Sequence, residues 1–75
     1  MAKSGAHLFA VAIVTAPGGS TVNLRAGARK RARLLTRVPL GATVEVLKPG
    51  PRWTKVKYGA WTGYMMTEFL AAFSV

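Results

Sequence analysis

Six of the fourteen residues from Leu24 to Arg37 (LRAGARKRARLLTR) are Arg or Lys, and none is acidic. Guanidinium and ammonium groups bind carboxylates and phosphates through charge-assisted bonds, and guanidinium adds a bidentate fork. Arg29, Lys30, Arg31 and Arg33, flanked by Arg25 and Arg37, are therefore a candidate grip on an anionic ligand. That chemistry requires the segment to be an irregular loop whose side chains share one region of solvent. The competing reading is a solvated loop that only adds solubility. For Arg25, beside Gly27, bracing the loop by bonding backbone carbonyls is favoured over touching a ligand.

Aromatic residues supply the second set of candidates. Along an extended strand, Trp53, Lys55 and Lys57 point to one side and Thr54, Val56 and Tyr58 to the other. An aromatic ring between cations can stack a base or sugar while the cations hold phosphate. In so short a chain the same Trp53 is also wanted for burial, with the lysines as ordinary solvent-facing charges. Trp61, near Tyr58 across a tight turn, is either a contact platform or a cross-strand aromatic pair.

Catalytic constellations are missing. The two Glu, Glu45 and Glu68, are not marked as a pair, no Ser or Thr has a base, and Pro17-Gly18-Gly19-Ser20 is a turn rather than a phosphate loop. His7 is the only His and Cys is absent, so no metal site is expected. The chain is expected not to be an enzyme and to need no cofactor.

The chain of 75 residues is read as a single domain, with its core over about residues 8–70 and an apolar tail at 71–75. A domain this short buries only about 60% of the surface its unfolded form exposes. Apolar packing must hold it together, because disulfides and metals do not, and the 51% hydrophobic content is consistent with that. Eleven Lys and Arg against two acids give a net charge of +9. Such a charge speaks to partners rather than to fold, and favours nucleic acid, wall polymers or anionic headgroups. The longest apolar run, Leu8 to Val14, is seven residues, far short of the roughly 20 a membrane-spanning helix needs. It is read as a first strand in preference to the centre of a signal peptide cut after Val14-Thr15-Ala16.

The elements that must position these residues are short. Apolar periodicity of the helical kind is scarce, while β-branched and aromatic residues come in short runs broken by turn residues. Strands are expected at His7–Thr15, Thr21–Arg25, Arg33–Val38, Thr43–Leu47, Trp53–Tyr58 and Trp61–Met66, the last two as a hairpin across Gly59-Ala60. Ala26–Ala32 is the basic loop, Pro39-Leu40-Gly41 and Lys48–Arg52 are breaks, and Thr67–Leu70 is one helical or 3-10 turn. Gly63 is expected to allow close backbone approach and Tyr64 to pack in the core. The fold class is therefore all-β, and a barrel hides the sheet edges that an unstapled chain can ill expose.

Four motifs in order, VNLRAG (Val22 to Gly27), GATVEVL (Gly41 to Leu47), WTKVKY (Trp53 to Tyr58) and TGYMMTEFL (Thr62 to Leu70), resemble the bacterial SH3-like (Src-homology-3-like) domain. The resemblance covers roughly Ala10 to Leu70. It implies a half-open barrel of five to seven short strands and a non-catalytic binding module for an anionic or peptide ligand, most plausibly cell-wall peptidoglycan or a protein partner. Where that family usually carries a neutral Pro/Ser/Thr loop, this chain has ARKRAR. The expected contact surface is Trp53, Lys55, Tyr58 and Trp61 with Arg25, Arg29, Lys30, Arg31 and Arg33. The rival expectations are a small basic barrel that binds nucleic acid, and a structural subunit of a larger assembly such as a phage particle. The apolar tail leaves oligomerisation open, and the location stays open between cytoplasm and cell wall.

Overall fold

The structure, a computed structural model, describes residues 10–74. Among these, seven strands form one antiparallel sheet: β1 (Ala10–Val14), β2 (Thr21–Arg25), β3 (Leu34–Pro39), β4 (Thr43–Lys48), β5 (Trp53–Tyr58), β6 (Trp61–Met66) and β7 (Leu70–Ser74), with a 3-10 turn at Thr67–Phe69. The strand order is β3-β2-β6-β5-β4-β1-β7 and the sheet is not closed, the half-open barrel that the family resemblance implies. Among the described residues, no helix is long and apolar enough to cross a membrane.

Alternation builds the core. Ala12 and Val14 of β1, Val22 and Leu24 of β2, Val38, Val44, Val56 and Met65 point inward and are buried together. Most are β-branched, which suits a pleated surface that must pack on one face only. Along β5, Thr54 and Val56 are buried while Lys55 and Lys57 on the other face are not. The β5–β6 hairpin turns at Gly59-Ala60 with positive φ at Gly59 (59°) but not at Ala60, the sign pattern of a type II′ turn, whose twist matches the strands it joins.

Among the described residues four strand ends differ from expectation by one residue: β1 stops at Val14 rather than Thr15, β3 runs Leu34–Pro39 rather than Arg33–Val38, and β4 runs on to Lys48. The first strand is observed at Ala10–Val14, and the His7–Phe9 part of its expected range lies outside the described residues. The third strand starts at Leu34 and not at Arg33, because the Arg33 carbonyl accepts the Ala26 N–H at 2.8 Å and closes the basic loop. The fourth extends to Lys48 through a bulge, with Val46 opposite Val56 but Lys48 opposite Lys55. The apolar segment after the 3-10 turn is a strand rather than a tail: β7 pairs with β1 from Val14↔Leu70 to Ala10↔Ser74. That pairing satisfies backbone groups of β1 that would otherwise lie at the sheet edge.

The two halves of the sheet meet at β2 and β6 through a single bridge, Arg25↔Tyr64. Gly63 lies at this seam. A Cβ there would fall 2.5 Å from the Arg25 carbonyl oxygen and 2.8 Å from Leu35 Cδ1, so only glycine lets the β2–β3 hairpin lie against β6.

Candidate functional site

The basic segment is a loop. Between β2 and β3 the chain bends through Ala26–Arg33, pinned by Ala26 N–H to Arg33 O, Arg29 N–H to Gly27 O at 2.9 Å and Ala32 N–H to Arg29 O at 3.1 Å. Ala32 is buried beneath it, and Arg25 Nη1 donates to the Ala32 carbonyl at 3.0 Å. Arg25 thus has the bracing role, while Arg29, Lys30, Arg31 and Arg33 are exposed at the tip of the β2–β3 hairpin.

Beside this loop runs a groove of about 430 Å³. Its floor is the outward face of β2, where Thr21, Asn23 and Arg25 alternate with buried Val22 and Leu24. The β1–β2 turn at Ala16–Gly18 forms one bank, Trp53, Met66 and Phe69 form the other, and Lys30 stands at the loop end. The groove therefore offers an apolar wall, a polar floor and two cations, and neither Glu lines it.

Both banks are fixed by hydrogen bonds. Thr15 N–H donates to Phe69 O at 2.8 Å, tying the β1–β2 turn to the 3-10 turn, and Thr67 N–H donates to Arg52 O at 2.8 Å. Behind Trp53 a small polar ring closes on Gly50. The Thr67 hydroxyl donates to Gly50 O at 2.8 Å, the hydroxyls of Thr54 and Thr67 are 2.8 Å apart, and Gly50 N–H donates to Thr54 Oγ1 at 3.4 Å. A hydroxyl has one hydrogen. Since that of Thr67 goes to Gly50 O, the hydrogen between the threonines is that of Thr54, and every donor in the ring has an acceptor. Thr54 is the one buried polar side chain among the described residues, 2% exposed, and this ring satisfies it. Gly50 is required in its place: a Cβ would lie 2.4 Å from Trp53 O.

The candidate residues do not form one surface. Trp53, Arg25 and Lys30 meet at the groove. Tyr58 and Trp61 face each other across the far end of the β5–β6 hairpin, five register steps from Trp53↔Met66, which is about 17 Å at roughly 3.4 Å per residue. They also belong to the other face: Tyr58 packs against the core, and Trp61 stands at the rim, 45% exposed. Lys55 lies two residues from Trp53 on the outer face, opposite Tyr64. Tyr64, expected in the core, is half-buried on that outer face, because Gly63 and Met65 take the two inward positions beside it. Thr21, Asn23, Met66 and Phe69 line the groove although their types drew no attention. The outward alternation of Thr21, Asn23 and Arg25 is the one signal that marks part of this set in advance.

No curated protein matches the chain closely enough to serve as a relative. A family model described as Bacterial SH3 domain matches residues 20–71, from the end of the β1–β2 turn to the second residue of β7.

Proposed function

Because the chain belongs to the bacterial SH3 domain family, a family of small binding modules, we propose that it is a non-catalytic module that seats an extended, carboxylate-bearing peptide in the groove beside Trp53. The single observation that carries this reading is the groove's composition. An apolar side chain fits against Trp53, Met66 and Phe69, while Arg25 and Lys30 at the loop end suit a carboxylate, with no acid among the residues that line the groove. Trp53 is the anchor, since aromatic residues in fixed pockets carry most of the energy of such contacts. The peptides of peptidoglycan have this chemistry, being extended chains that end in a carboxylate. An acidic segment of a partner protein presents the same groups.

Co-sedimentation with purified peptidoglycan tests the reading. At about 0.5 M salt, where screening reaches within a few ångström, the protein is expected in the pellet. Trp53→Ala should weaken binding about 30-fold, and Trp61→Ala should leave it unchanged. Protein that stays in the supernatant, or binding lost with Trp61→Ala and kept with Trp53→Ala, would refute the assignment.

A further inference from the structure

The register places a further row of groups on the outer face of the sheet, which adjoins the groove at Arg25 and runs away from it across β6, β5 and β4. Lys48 stands opposite Lys55, Lys55 opposite Tyr64, and Tyr64 opposite Arg25, making one row across β4, β5, β6 and β2. Residues directly opposite one another share a face. At about 4.8 Å between strands the row is roughly 14 Å long. Lys57 lies two positions from Lys55 on the same face. At its β2 end the row meets the loop bearing Arg29, Lys30, Arg31 and Arg33. Against these eight cations, the two acids stand at the margins: Glu45 opposite Lys57, and Glu68 in the 3-10 turn.

Two features of this row need a physical account. Like charges opposite each other in an antiparallel pair destabilise the sheet, yet Lys48 and Lys55 stand so. A polyanion laid over them reverses the sign of that interaction. The half-buried ring of Tyr64 then lies between cationic neighbours on either side, in the arrangement by which sheets stack single-stranded bases while cations track the backbone. We infer that the outer face of β4-β5-β6-β2 binds single-stranded nucleic acid, with Lys48, Lys55 and Lys57 on phosphates and Tyr64 stacked on a base. A duplex buries its base faces, and a phosphodiester polymer without rings has none, so neither uses Tyr64.

Fluorescence anisotropy with labelled twelve-residue oligo-dT and oligo-rU, using the full chain, tests this. With about three phosphates contacted, one for each lysine, the log–log dependence of affinity on salt should have a slope near −2, and Lys48→Gln/Lys55→Gln should reduce its magnitude by about 1.4. Tyr64→Leu should weaken binding about tenfold at every salt concentration with the slope kept, and Tyr64→Phe should restore it. The lysine pair lies outside the groove, so its replacement should leave co-sedimentation with peptidoglycan intact, and Trp53→Ala should weaken that co-sedimentation without changing the oligonucleotide salt slope. Failure of one reading thus leaves the other standing. Equal affinity for a duplex of the same length or for poly(glycerol phosphate), or a Tyr64→Leu variant that folds and binds as the wild type does, overturns the inference.

Discussion

Replacing Thr54 by Val removes one hydroxyl and keeps the shape of the side chain. Gly50 N–H then loses its acceptor and Thr67 Oγ1 loses its donor. A typical intramolecular hydrogen bond contributes about 1 kcal/mol net, and a long one such as the 3.4 Å contact from Gly50 contributes less. The added methyl is buried and offsets part of the loss. The expected cost is about 1–1.5 kcal/mol, which lowers the melting temperature of a domain this size by roughly 4–12 °C. Thr67→Val should cost a similar amount, since it strands Gly50 O and the Thr54 hydroxyl together. The informative variant is the double one. If the three groups act as a ring, the first substitution already breaks the chain of donors, and the second adds little. A double-mutant cycle by thermal or urea unfolding should therefore show a coupling energy of about 1 kcal/mol. Trp53 fluorescence should shift in each variant, because the ring lies behind the backbone that carries Trp53. Additivity within about 0.3 kcal/mol, or a Thr54→Val variant as stable as the parent, would refute the closed ring.

Three further outcomes follow from the same packing. Gly63→Ala should destabilise the fold by about 1–3 kcal/mol, as overpacking does, since the new Cβ meets the Arg25 carbonyl oxygen and Leu35; urea midpoints measure it. Met65→Ala should cost about 2–5 kcal/mol because the side chain is fully buried, whereas Met65→Leu should stay within about 1.5 kcal/mol; the same melts compare them. Arg25→Met should remove the donor to Ala32 O, and amide exchange should accelerate at Ala26 and Ala32 while the amides of β5 and β6 keep their protection.

The alternation of Thr43–Leu47 stops one residue short of β4's end at Lys48. Thr21–Arg25, Trp53–Tyr58 and Trp61–Met66 were legible in the sequence to the residue, the last two from short aromatic and β-branched runs and a glycine at the turn. β7 was not, because LAAFS has no alternation, and its partner β1 lies at the opposite end of the chain, where no local pattern points to it. The basic loop was recognised, and the bracing of Arg25 with it, since a glycine-containing turn next to an arginine leaves carbonyls within reach. The groove was half visible. Trp53, Arg25 and Lys30 stood out by type, but the Ala16–Gly18 turn, Met66 and Phe69 reach it only through long-range pairing. Grouping Trp61 with Trp53 failed on parity: one indole belongs to the inward-pointing set of β6, the other to the outward-pointing set of β5.

The lone rung between Arg25 and Tyr64 has a mechanical meaning. β2 and β3 form one ribbon and β4, β5 and β6 another, and the seam between them is a single bridge over a glycine. The groove draws its floor from the first ribbon and its tryptophan from the second. Its width is accordingly set by the dihedral between two ribbons, as the gap of a pair of tongs is set at the pivot. A side chain introduced at position 63 would act as a wedge in that pivot, pressing on the Arg25 carbonyl and Leu35 and so altering the bite of the jaws.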